Sequence, residues 1–246
     1  MAQTVERVAG VGGELALRRD GEHFEIISNG TFLMDTRSSE SERLLVRAAL
    51  DALAAAGGRP RPYHLLVGGL GVGFSLAEAV RADAVAGVVV VEREPALLAW
   101  HETHLARFSS GALRAPGVQI VRDDLLAWLR ARDEDAEPFD AVVVDVDNGP
   151  DWTVNAGNAA LYREEGLALL AGCVAPAGAL AVWSAHDSPE FEQRLGEWFT
   201  GVQTVHVPVA RGEPDVVFLA RGHGAPSEPS GGREPGGSSE RGGPTG

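Results

Sequence analysis

The sequence predicts an α/β fold: a mostly parallel seven-stranded sheet covered by helices and preceded by a short β-meander. Three observations predict it. From residue 64 onward, short apolar runs rich in Val, Leu and Ala alternate with segments of helical period, the pattern of strands buried on both faces. The first run leads into a glycine-rich turn, Gly68-Gly69-Leu70-Gly71-Val72-Gly73, at the start of a helical segment. Upstream, residues 14–35 alternate in character around two turn dipeptides, Asp20-Gly21 and Asn29-Gly30, whose positions tolerate positive φ and so favour hairpins.

In chain order, ELALRR and EHFEIIS form the first hairpin, and residues 31–34 add a third strand. Ser39 followed by Glu42 fits a capping box that opens a helix running to about Ala56, where Gly57-Gly58 and Pro60 stop it. Strands are then expected at HLLVGG, AGVVVVE, VQIVR, FDAVVVD and GALAVWS, and a closing hairpin at VQTVHVPV and DVVFLA. Helices fill the gaps at residues 74–81, 95–107, 125–130, 158–173 and 189–199; Pro95 sits at a first turn, where its missing N–H costs nothing. Residues 221–246 hold nine Gly, four Pro and four Ser, too little apolar surface to offset chain entropy, so a disordered tail is expected. The division is 1–58 for the meander and first helix, 59–220 for a nucleoside-binding α/β domain, and 221–246 for the tail.

Composition excludes several chemistries. All 21 basic residues are arginine, against 35 Asp and Glu, a formal charge of −14. Without lysine there is no Schiff-base enzyme, no pyridoxal phosphate enzyme and no P-loop. The acid excess argues against a nucleic-acid partner, since duplex binding needs a basic face. The tail is neutral, so the excess belongs to residues 1–220. No apolar run reaches the roughly 18 residues of a membrane span, and the N-terminus lacks a signal-peptide core. The single Cys173 fits a reducing cytoplasm, as a small buried side chain.

Acidic or glycine features recur at four successive strand ends. Gly69, Gly71 and Gly73 let a ligand lie against bare backbone near a helix N-terminus. The next strand ends in Glu92, 19 residues after Gly73, where a carboxylate accepts hydrogen bonds from both ribose hydroxyls. Asp123 and Asp124 end the third strand, positioned either to meet an adenine amino group or to cap the next helix. After the fourth strand, Asp145, Asp147 and Asp151 fall within seven residues and precede Trp152. Such a loop holds a cation, takes a proton or is simply solvated, and Trp152 either covers the pocket or packs. His186 faces substrate or caps a helix. His101, Glu102 and His104 lack a third ligand cluster elsewhere, so no metal site is expected.

These motifs resemble the spermidine synthase (polyamine aminopropyltransferase) family, within the class I S-adenosylmethionine-dependent methyltransferase fold, over residues 14–220. The resemblance implies a Rossmann-like domain in which Gly69, Gly71, Gly73, Glu92, Asp123 and Asp124 bind the nucleoside. It implies aminopropyl transfer from decarboxylated S-adenosylmethionine to an amine, with Asp145 as general base. The acceptor side would be Glu42, Asp147, Asn148, Trp152 and Tyr162. The family's second loop aspartate is Asn148 here, its tyrosine before Glu42 is missing, and its late P-T-Y-P segment has no counterpart. A homodimer is also implied. The rival readings are a methyltransferase that uses intact S-adenosylmethionine and a noncatalytic nucleoside-binding protein.

Overall fold

A computed structural model describes residues 2–58, 61–133, 135–210 and 212–223. The chain opens with a four-stranded antiparallel meander, β1 Gln3–Gly10, β2 Gly13–Asp20, β3 His23–Ser28 and β4 Thr31–Asp35, hydrogen-bonded in that order. Asn29 and Gly30 both take positive φ at the β3–β4 turn, as the dipeptide predicts. The first strand is an addition to the three expected. Its burial pattern is almost wholly exposed, so it lacks the apolar alternation by which a strand is recognised.

Helix α1, Glu40–Ala55, leads to the larger sheet. The capping box does not form: Ser39 is the N-cap but its side chain accepts no capping N–H. Its hydroxyl accepts from Arg43 Nε instead, at 3.1 Å, which leaves Glu42 turned inward. The sheet and its helices follow as β5 Tyr63–Gly68, α2 Phe74–Arg81, β6 Val85–Val91, α3 Pro95–His101, β7 Val118–Val121, α4 Leu125–Ala131, β8 Phe139–Val144, α5 Glu164–Cys173, β9 Val174–Ser184, α6 Pro189–Trp198, β10 Phe199–Val207 and β11 Asp215–His223. Two expected helices are shorter. The third ends at His101 in irregular turns, and residues 156–162 form a 3-10 helix before α5.

The strand order is β10-β11-β9-β8-β5-β6-β7. The five strands from β9 to the β7 edge pair in parallel, while β11 runs antiparallel between β9 and β10. The strand ladder carries β11 three residues past the expected DVVFLA run, pairing Arg221 with Gly201 and His223 with Phe199. The remainder of the expected disordered tail, and Pro60, lie outside the described residues.

Alternation along β5 sends Leu66 to one face and Leu65 with Val67 to the other. Each is fully buried, worth about 1.5–3 kcal/mol per side chain. On the first face α4, α5 and α6 supply Leu129, Leu170 and Phe191. On the second, α1 and α2 supply Leu45, Val46 and Leu76. A third cluster packs the meander's Leu17 and Ile26 against Trp100, Leu105 and Phe74. Among the described residues no helix is long and apolar enough to cross a membrane.

The meander is also held by a carboxylate. Glu94, buried at the N-cap of α3, accepts from Val11 N at 2.9 Å and Gly12 N at 3.1 Å, at the tip of the β1–β2 hairpin. Glu94→Ala should therefore lower stability by about 1–3 kcal/mol and speed amide exchange at Val11 and Gly12. Unchanged exchange at both amides would show that the hairpin is anchored by other contacts.

Candidate active site

Parallel strands end together, so the loops after β5, β6, β7 and β8 open at one edge of the sheet. After β5, Gly69 adopts φ 88°. A Cβ there would sit 2.1 Å from the Asp145 carbonyl oxygen, so the glycine is required by both conformation and contact. The loop is fixed by Glu92 at the end of β6. Its Oε2 accepts from Leu70 N at 2.9 Å and its Oε1 from Glu94 N at 2.7 Å. Glu92 is buried, and burial raises its pKa while these two amides oppose the shift. His101 supports the loop from below, its Nε2 lying 3.0 Å from the Gly71 carbonyl.

The acidic loop after β8 divides its carboxylates by task. Asp147 has φ 62°, a conformation tolerated by Asp with local hydrogen bonds. Its two oxygens accept from Asn148 N, Val154 N, Asn155 N and Asn158 Nδ2, at 2.6 to 3.0 Å. Asp147 therefore organises the loop with most of its acceptor capacity. Tyr162, expected beside substrate, lies instead in the core. It packs edge-on against Phe191 and donates to the Val146 carbonyl, bracing the loop from behind. Trp152 is 45% exposed and stacks on His186 with centroids 5.6 Å apart.

Two cavities meet at this edge. Gly69, Gly71, Glu92, Asp123 and Asp124 line the first. Glu42, Gly73, Asn148 and Trp152 line the second. Leu33, Met34, Asp145 and Asp147 belong to both. Asp124 is also the N-cap of α4, accepting from Ala127 N at 3.0 Å, so the capping alternative and a place at the cavity wall coexist. Arg93, unremarked in the sequence, lines the first cavity and bonds Asn158 Oδ1 at 3.1 Å.

Asp215, at the start of β11, lines the second cavity with Glu42 and Asp145. Sequence reasoning missed it because β11 reads as a closing strand. Running antiparallel, however, it brings its first residue to the edge where the parallel strands end. The three carboxyls are poor in donors. Burial, then the charge of Asp215, pushes Asp145 up to about 7, with the Ser75 hydroxyl opposing. Burial, then the charge of Asp145, pushes Glu42 up to about 8. Burial raises Asp215 too, against the Ser41 hydroxyl and the Trp183 indole. Among the described residues no group of three or more His, Cys, Asp or Glu side chains is arranged to hold a metal ion.

This cluster fixes a pH dependence. The folded protein keeps protons that the unfolded chain releases near pH 4, so stability falls as pH rises from about 4 to about 8. Asp145→Asn removes one of the repelling groups. Its Tm should exceed the wild-type value at pH 8.5 by on the order of 5 °C and converge with it below about pH 4. Equal Tm differences at the two pH values would remove Asp145 as a proton-holding group.

No protein-family model matches the chain. A polyamine aminopropyltransferase of Mycobacterium tuberculosis is 31% identical over 171 residues, 69% of this chain and 30% of that protein. Polyamine aminopropyltransferase 1 of Streptomyces coelicolor is 35% identical over 134 residues, 54% of this chain and 23% of that protein. The chain thus spans less than a third of these relatives. Spermidine synthase from Thermotoga maritima superimposes with a TM-score of 0.70 at 14% identity, over 90% of this chain and 74% of that one. A spermidine synthase in complex with the transition state analogue AdoDATO gives 0.73 at 14% identity, over 91% and 75%. Such distant structural likeness speaks for the fold alone. The chain has the fold of spermidine synthases and, over about two thirds of its length, is similar in sequence to polyamine aminopropyltransferases.

Proposed function

We propose that this chain transfers an aminopropyl group from decarboxylated S-adenosylmethionine to a small amine, with Asp145 as general base. The observation that carries the reading is the position of Asp145 where the two cavities join. A donor in the first cavity and an acceptor in the second would meet there.

The first cavity fits a nucleoside. Each Glu92 oxygen accepts one backbone amide and so keeps a lone pair for a ribose hydroxyl. Gly69 and Gly71 leave bare backbone along the cavity wall, and Asp123 and Asp124 stand at its far end for the base amino group. Decarboxylated S-adenosylmethionine supplies a sulfonium, so that the amine nitrogen displaces a neutral thioether from the adjacent propyl carbon.

The remaining work falls to the protein's carboxyls. The attacking nitrogen must lose a proton, and Asp145, held near pH 7 by burial and by Asp215, is matched to accept it. Glu42 and Asp215 would hold the ammonium in place before transfer, and a bound cation relieves the repulsion among all three. Asp147 acts in this reading through the loop that it organises, and Trp152 covers the mouth of the acceptor cavity.

The methyltransferase alternative fits less well. Intact S-adenosylmethionine carries a carboxylate that needs a cation or free amides. The described residues shared by both cavities are Leu33, Met34, Asp145 and Asp147; none is basic and two are acidic. Calorimetry should accordingly give tighter binding for decarboxylated than for intact S-adenosylmethionine. Preference for the carboxylated ligand would overturn the proposal.

Asp145→Asn should lower release of methylthioadenosine by on the order of 10²-fold or more while methylthioadenosine itself still binds. Undiminished turnover would take the general-base role from Asp145. Absence of turnover in the wild type, with nucleoside binding intact, would favour a noncatalytic role instead. Glu92→Gln should weaken methylthioadenosine binding about tenfold, and an unaltered dissociation constant would reject the ribose assignment.

A further inference from the structure

The acceptor cavity has two acidic walls of different character. The inner wall is Glu42, Asp145 and Asp215; among the described residues no arginine forms an ion pair with any of them, and the opposing charge that Asp215 feels is His186. The outer wall comes from the meander, where Asp20, Glu25 and Asp35 converge on one guanidinium. Arg37 Nη1 lies 2.6 Å from Asp35, and Arg37 Nη2 lies 2.8 Å from Asp20 and 2.9 Å from Glu25. Arg18 Nε adds a second contact to Glu25 at 3.7 Å. All four convergent residues line the cavity.

Resting on the acceptor reading above, we propose that Arg37 determines acceptor specificity. It is a built-in cation that fills the distal ammonium position and excludes amines with a third charged nitrogen.

The physical difference between the walls supports this. Among the described residues no guanidinium pairs with the inner carboxylates, so an ammonium there meets unshared negative charge. The outer three share the charge of Arg37, so a third ammonium gains less from them than it would from bare carboxylates. A third ammonium would have to displace a guanidinium that holds three carboxylates, or else lie beside its charge. The guanidinium stays charged at every pH where a polyamine is charged, so protonation does not lift the exclusion. Repulsion built against the wrong ligand is how specificity is gained without added affinity for the right one.

The test compares putrescine with spermidine as acceptors, with decarboxylated S-adenosylmethionine as donor and methylthioadenosine release as readout. Wild-type protein should favour putrescine in kcat/KM by about tenfold or more, and Arg37→Gln should raise the spermidine-to-putrescine ratio about tenfold. The ratio is internal to each preparation, so partial misfolding of a variant cancels. Arg37→Lys keeps a cation and should retain most of the exclusion. An Arg37→Gln ratio equal to that of the wild type overturns the proposal, as does wild-type preference for spermidine. Should the wild type consume neither amine, the aminopropyltransferase reading fails. Calorimetry of spermidine on methylthioadenosine-saturated protein then decides Arg37: tighter binding by Arg37→Gln supports the exclusion, and equal binding refutes it.

Discussion

Glu92 accepts one backbone N–H on each carboxylate oxygen, from Leu70 in the glycine loop and from Glu94 at the start of α3. Those two bonds hold the loops after β5 and β6 at a fixed separation. The next link is Glu94, which accepts from Val11 and Gly12 and so brings the meander over the same edge. Across the cavity Asp147 gathers four donors of its own loop. The site's shape is thus held by carboxylates bonded to main-chain amides, an arrangement stronger than neutral hydrogen bonding and short in reach. In a chain without lysine, it places negative charge at the sheet edge without a long cation beside each carboxylate.

That economy divides the acidic residues into two kinds. Glu94, Asp124, Asp140 and Asp147 each accept at least one backbone amide from a neighbouring segment or helix turn. Glu42, Asp145 and Asp215 face hydroxyls, the Trp183 indole, the amide of Glu42 itself and one another, and burial raises their pKa values. Glu92 shows that backbone donors offset burial without cancelling it, since it accepts two amides and its pKa is still raised. Glu42 and Asp145, pushed up to about 8 and about 7, can exchange protons near neutral pH, which is the condition for acid–base work.

The sheet was legible because its signals are local. Apolar runs of four to seven residues have few alternatives when glycine and proline bound them, and residues 74–81 coincide with α2 at both ends. The lining of the first cavity was legible for the same reason, because Gly69, Gly71, Glu92, Asp123 and Asp124 lie within a few positions of a strand end. Features that depend on distant contacts were not. The Ser39 box failed because Arg43 competes for the hydroxyl, and β1 has no apolar face to announce it. Tyr162 looks like a pocket residue in sequence, yet its ring completes a core with Phe191 and Phe218. Asp215 becomes visible only once β11 is known to lie between β9 and β10.

The position of β11 bears on how the second cavity is built. Val216 pairs with Ser184 at the end of β9, which sets Asp215 beside the last residues of a parallel strand. An antiparallel insertion therefore delivers a carboxylate to the second cavity without a loop of its own to hold it. The meander closes the opposite wall, since Leu33 and Met34 of β4 line both cavities. They stand at the boundary of the two cavities together with Asp145 and Asp147, so the short N-terminal sheet supplies half of the residues that both cavities share.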